Sequence, residues 1–161
     1  MRRGIIGATA AVAGAAVVAV ALIATAGGSG GRAAALSDKA LFATLTGANE
    51  VGNDGQRAAG DRDGKGASSV LVTSSKVCFG IQVSGLDRPT AAHIHLSRSG
   101  RNGPIVVPLR APNGGNPGTS AGCVNASATI RNNLKTAPSG AYVNVHTQAF
   151  PSGAVRGQLH P

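Results

Sequence analysis

The sequence predicts an all-β fold: an antiparallel, Greek-key-like sandwich or flattened barrel of about eight strands. Three observations carry this. Val77, Phe79, Ile81 and Val83 alternate strictly with smaller or polar residues, the two-residue period of a half-buried strand. Similar short aliphatic runs recur along the chain, separated by clusters of Gly, Pro, Asn and Ser, which is the punctuation of sandwiches and barrels. After residue 36 no long amphipathic helical pattern competes with them.

The elements follow in order. Leu41 to Thr46 is the first strand, and 52–66 is a polar loop rich in Gly, Asp and Arg. Ala67 to Thr73 and Lys76 to Ser84 form a hairpin about Ser74-Ser75. A turn at 85–89 leads into the strand Ala91 to Leu96. The turn 97–104 leads into Ile105 to Leu109, where Ile105, Val107 and Leu109 share a face. A Gly/Pro/Asn loop covers 111–122, and Cys123 to Thr129 reads as the next strand. Ile130 to Thr136 fits one or two helical turns, ended by Pro138 and Gly140. Tyr142 to Thr147 and Ala154 to Leu159 close the chain. The residues expected in the core are Val77, Phe79, Ile81, Val83, Ile94, Val107, Val143, Val145 and Leu159, because each belongs to an alternating apolar face.

Residues 1–35 are set apart by composition. Met1-Arg2-Arg3 supplies positive charge, and Ile5 to Ala26 is an uncharged run of 22 residues. Small residues at Ala24-Thr25-Ala26 or Ala33-Ala34-Ala35 fit a signal-peptide cleavage site. Retained, the run is long enough to be a membrane anchor. Both readings put 36–161, the folded domain, outside the cytoplasm. Membrane contact is expected only if the leader stays.

The two cysteines, Cys78 and Cys123, are an even count in an exported chain, which predicts a disulfide. Removing Arg2, Arg3 and Arg32 from the 15 Lys and Arg leaves 12 against 6 Asp and Glu. The domain is therefore basic by 6 charges, which favours anionic polymers of the cell envelope. Nucleic acid is not indicated: the basic residues are scattered and only Phe42, Phe79, Tyr142 and Phe150 are available for stacking. No nucleophile elbow is present and carboxylates are scarce, so hydrolase chemistry has no support. Asp61-Arg62-Asp63-Gly64 places acids two apart before a Gly, but without a later Glu it reads as a turn rather than a calcium loop.

Three of the four histidines lie in two strands. His93 and His95 share one strand face, with Ile94 and Leu96 on the other. Asn144 and His146 share a face, with Val143 and Val145 behind them; Arg156 and Gln158 form a third such pair. Two histidines at i, i+2 can reach one ion, and His146 can join from a neighbouring strand. Three neutral imidazoles suit copper or zinc with an open position. The competing reading is a scaffold: histidines hydrogen-bonded to loop carbonyls, anchoring the turn 100–104, with Arg156 donating to carbonyls. The scarcity of further ligands favours the scaffold, and no cofactor is expected on that reading.

The motifs Ala91-Ala92-His93-Ile94-His95, then Asn102-Gly103-Pro104-Ile105-Val106-Val107-Pro108-Leu109, then Tyr142-Val143-Asn144-Val145-His146-Thr147, then Pro151-Ser152-Gly153-Ala154-Val155-Arg156-Gly157-Gln158-Leu159 resemble the CHRD domain. That domain is named for repeats in chordin and occurs alone in exported bacterial proteins. Leu45-Thr46-Gly47-Ala48-Asn49-Glu50-Val51 matches its N-terminal signature, so the resemblance runs from about Leu41 to Leu159. The chain departs from the family pattern at Ala154, where Glu is common, and at Gly52, where Pro is. The resemblance implies a secreted, non-catalytic module that binds an extracellular protein or envelope component through its polar sheet face and loops. The His-x-His strand also resembles, over a few residues only, the copper-binding strand of copper–zinc superoxide dismutases. That makes metal-dependent redox activity the alternative.

Overall fold

The computed structural model describes residues 37–113 and 117–161; the leader expected at 1–35 lies outside the described residues. Eight strands form one antiparallel sheet that curls into a nearly closed barrel. They are β1 (Lys39–Thr46), β2 (Lys65–Val72), β3 (Lys76–Ser84), β4 (Pro89–Leu96), β5 (Ile105–Leu109), β6 (Gly118–Asn125), β7 (Ala141–Thr147) and β8 (Val155–Gln158). The spatial order is β5-β4-β7-β8-β1-β2-β3-β6. The chain jumps across this order after β3, β5 and β6, which is the Greek-key character. The two ends of the sheet approach each other where Ser120 Oγ donates to the Arg110 carbonyl at 2.8 Å. Among the described residues no helix is long and apolar enough to cross a membrane.

Alternation fills the barrel. All nine residues expected in the core are buried, together with Leu41, Leu45, Val70, Val72 and Val155. The β2–β3 hairpin turns at Ser74-Ser75, where Thr73 Oγ1 accepts from the backbone N–H groups of Ser75 and Lys76. Close approach is built in at Gly157, where an added Cβ would lie 2.3 Å from the Thr44 carbonyl oxygen. Only a glycine lets β8 run this close to β1.

Two expectations are corrected. The strand placed at 123–129 is β6, Gly118–Asn125, and the chain then turns into α1 (Ala128–Thr136). Ser127 caps that helix, its Oγ accepting from the Ile130 N–H at 3.2 Å, as serine does at a helix start. β6 is composed of small and polar residues with no apolar alternation, so its extended state comes from pairing with β3 rather than from its own pattern. The shared face of Ile105, Val107 and Leu109 is also broken. The register slips between Ile94 and His95, and Ile105 is 53% exposed while Val107 is fully buried.

On the outer face, Cys78 and Cys123 are direct partners in the β3–β6 register and are joined by a disulfide. The bond fastens β6, an edge strand with little packing of its own, to the strand with the strongest pattern. The Asp61–Asp63 segment is an Asx turn, with Asp61 Oδ1 accepting from the Asp63 N–H at 3.1 Å.

Candidate functional site

The sheet sets β4, β7 and β8 side by side. His93 pairs with Asn144 and His95 with Tyr142 across β4–β7. Asn144 pairs with Arg156 and Tyr142 with Gln158 across β7–β8. Ile94, Val143, Val145 and Val155 turn into the barrel, so alternation sends His93, His95, Tyr142, Asn144, His146, Arg156 and Gln158 to the outer face. Every site residue expected on these strands is therefore on one surface.

That surface is covered. Loops 47–64 and 97–104 lie over it, and Tyr142, Asn144 and Arg156 are almost wholly buried. The loops are held by the side chains beneath them. Arg156 donates to Asn102 Oδ1 at 3.1 Å, to the Arg101 carbonyl at 2.6 Å and to the Arg98 carbonyl at 3.4 Å. Gln158 Nε2 donates to the carbonyls of Ser97 and Ser139. Asn102 Nδ2 then ties one loop to the other through the Val51 and Gly52 carbonyls. Asn144, Arg156 and Gln158 thus serve as loop anchors, and the expected open polar face is an internal polar layer.

Tyr142 sits at its centre. The His95 ring stacks on it at 4.7 Å with an interplanar angle of 7°, and the Arg156 guanidinium lies 3.4 Å from its ring centroid. His95 is on β4 and Arg156 on β8, either side of β7, so the tyrosine is sandwiched between them. Its hydroxyl accepts from the Gly103 N–H at 3.3 Å. Burial raises the Tyr142 pKa and lowers that of Arg156, the latter partly offset by Tyr142 and Glu50.

The histidines converge beside this stack. One ring nitrogen from each of His93, His95 and His146 lies within 4.8 Å of the other two. His95 Nδ1 is 2.9 Å from the Gly103 carbonyl oxygen and His146 Nδ1 is 3.0 Å from that of Pro151. A carbonyl only accepts, so both rings carry their proton on Nδ1 and leave Nε2 unprotonated. The Nε2 of His146 lies 3.2 Å from Nδ1 of His93. The Nε2 of His95 is buried and has no partner. Burial holds all three rings below the ordinary histidine pKa. His93 falls to about 4, helped by the charges that His146 and His95 would carry. For His95 and His146 the carbonyl bonds partly oppose the drop. Three neutral imidazoles, two of them oriented by backbone carbonyls, are what a copper or zinc ion requires of a nitrogen site.

Two members of the layer, Glu50 and Tyr142, are not among the site residues expected from the sequence. Glu50 is buried, its Oε2 receiving a long 3.5 Å hydrogen bond from Asn144 Nδ2 while its Oε1 has no partner. Burial lifts its pKa to about 7 against the opposing pull of Arg156. Room for the carboxyl is left by Gly153, at φ +143°, where a Cβ would lie 2.5 Å from Glu50 Oε2. Glu50 reaches the site by loop folding, which no periodicity reveals. Tyr142 could have been found, since it alternates with Asn144 and His146.

The protein-family model that describes the CHRD domain matches residues 41–159 of this chain. No curated protein and no solved structure matches it.

Proposed function

The chain belongs to the CHRD-domain family, and from that membership and the histidine geometry we propose that it is an extracellular module binding one copper or zinc ion through His93, His95 and His146. CHRD domains are in general non-enzymatic modules and typically extracellular. The disulfide and the apolar leader support an extracellular setting for this one.

The single observation that carries the reading is the bare Nε2 of His95. A scaffold needs only the Nδ1 bond to Gly103, and burying a second, unpartnered nitrogen costs free energy. A metal ion beside the Nε2 atoms of His95 and His146 and the Nδ1 of His93 would turn that cost into a ligand bond. The carbonyls of Gly103 and Pro151 would then be the outer partners that fix ring orientation. His93 would give up its contact with His146 by moving its proton from Nδ1 to Nε2. Nitrogen-only donors favour copper(II) above zinc, and both cysteines are committed to the disulfide. Arg156 opposes an added cation, but its charge is spread over Tyr142 and three oxygen acceptors.

Calorimetric titration with Cu²⁺ and Zn²⁺, paired with thermal melting, tests this. One equivalent should bind. At a free concentration of about 100 Kd the ion should stabilise by about 2.7 kcal/mol, which is on the order of 10 °C for a domain this size. His95→Ala should lose the response. No effect of either metal on the wild type, with a lower Tm for the variant, would leave the scaffold reading in its place.

A further inference from the structure

We infer that the turn Arg98-Ser99-Gly100-Arg101, together with Arg57, is a docking surface for an extended phosphate-bearing polyanion. This is separate from the metal site and does not depend on it. The Arg57 guanidinium packs against the turn: a Cβ added to Gly100 would be 2.5 Å from its nearest nitrogen and 2.9 Å from its central carbon. Gly100 is at φ +75°, so a glycine is favoured there on two counts, by backbone conformation and by the seat it leaves for Arg57. Arg98 and Arg101 flank that seat, and all three side chains are exposed. None makes a hydrogen bond or an ion pair through its side chain among the described residues. Three guanidinium forks are thus held at one turn with their donors unspent.

The turn beneath them is tied to a buried cation. Arg156 is buried below it and uses the carbonyls of Arg98 and Arg101 as acceptors. The buried carboxylate Glu50 has its ionised form disfavoured, and no exposed carboxylate, Asp54 on the Arg57 loop included, forms an ion pair with these arginines among the described residues. Four guanidinium groups therefore gather at one turn with no ion pair to any of them among the described residues. Like charges so placed repel each other, and an external polyanion relieves that repulsion while filling the unspent forks. The three exposed side chains are spread over two loops, which suits a chain of repeated oxyanions laid across them better than a single small anion.

The test is binding of linear inorganic polyphosphate to the purified protein, followed by fluorescence anisotropy over a range of salt. The triple variant R57Q/R98Q/R101Q is compared with K65Q/K76Q/R110Q, which removes the same charge from exposed positions elsewhere. The first should weaken binding at least tenfold and lower the salt slope by about one per arginine removed. The second should change affinity less than threefold. Orthophosphate at equal phosphate concentration should compete at least 100-fold less well. Equal loss in the two triples would show a diffuse charge effect and overturn the surface, as would no binding by the wild type. If the first triple melts early, R98Q/R101Q decides the matter, since neither side chain has an internal partner; unchanged affinity in that double variant would also overturn it.

Discussion

Arg156 and Tyr142 are bound face to face, the guanidinium carbon 3.4 Å from the ring centroid, and through this pair the last strand holds the loop 97–104. Arg156→Ala would remove the cation from the ring and leave the Arg98 and Arg101 carbonyls and Asn102 Oδ1 without their donor. The expected loss is about 3–5 kcal/mol, since hydrogen bonds from charged donors are worth about 1.5–3 kcal/mol each and are not additive. Arg156→Lys should recover less than half of it, because one ammonium cannot reproduce a planar fork. Urea denaturation of the three proteins measures this.

The barrel itself rests on β3. Phe79 points inward between Val77 and Ile81, and Phe79→Ala should cost about 3–5 kcal/mol. A loss below about 1 kcal/mol would show that the ring carries little of the core. On the opposite face, the Cys78–Cys123 bond spans 45 residues and should contribute about 4 kcal/mol on the chain-entropy account. Intact mass before and after reduction, with melting of the Cys78→Ser/Cys123→Ser double variant, checks both the bond and its effect.

This division shows what the sequence could reveal. β3, β4 and β7 alternate on their own, so spacing could assign His93 and His95 to one face of their strand and Asn144 and His146 to one face of theirs, while the sheet order was needed to join the two faces. β6 could not be placed, because Gly118, Thr119, Ser120 and Ala121 have no apolar period and are extended by their partner. The layer over the site was hidden for another reason. Glu50, Gly103 and Pro151 lie in loops, and their approach to the strands depends on long-range bonds such as Asn102 to Val51. Which nitrogen of His95 and of His146 is committed depends on those loop carbonyls, so the unpartnered Nε2 of His95 became visible only in three dimensions.

Between about pH 4 and 7 stability should carry two opposing pH dependences with different owners. His93 has its pKa depressed from 6.5 to about 4 in the folded state. Its stabilising contribution is present above the unfolded value of 6.5 and is lost as pH falls toward 4. Glu50 is the reverse, raised from 4.5 to about 7. Its contribution is full below 4.5 and is lost as pH rises through 7. Melting from pH 4 to 9 should show Glu50→Gln gaining on the wild type as pH rises from 4.5 to 7 and holding that gain above 7, with the dependence owed to His93 kept. Curves that stay parallel from pH 4.5 to 7 would mean that Glu50 is already ionised at neutral pH.

His93 separates metal binding from scaffolding more cleanly than either of its neighbours. His95 and His146 each bond a loop carbonyl, so replacing them disturbs the loops whatever their other role. His93 bonds only His146 and is half-buried. His93→Ala should therefore shift apo stability by less than about 1 kcal/mol at pH 7, whereas His95→Ala should cost about 1 kcal/mol or more through the lost Gly103 bond. Both should abolish the rise in Tm with Cu²⁺. If His93→Ala keeps the full metal response, the ion is held elsewhere and the three-histidine site is wrong. If it unfolds the apo protein as severely as His95→Ala, His93 has a structural duty beyond its contact with His146, and the scaffold reading gains.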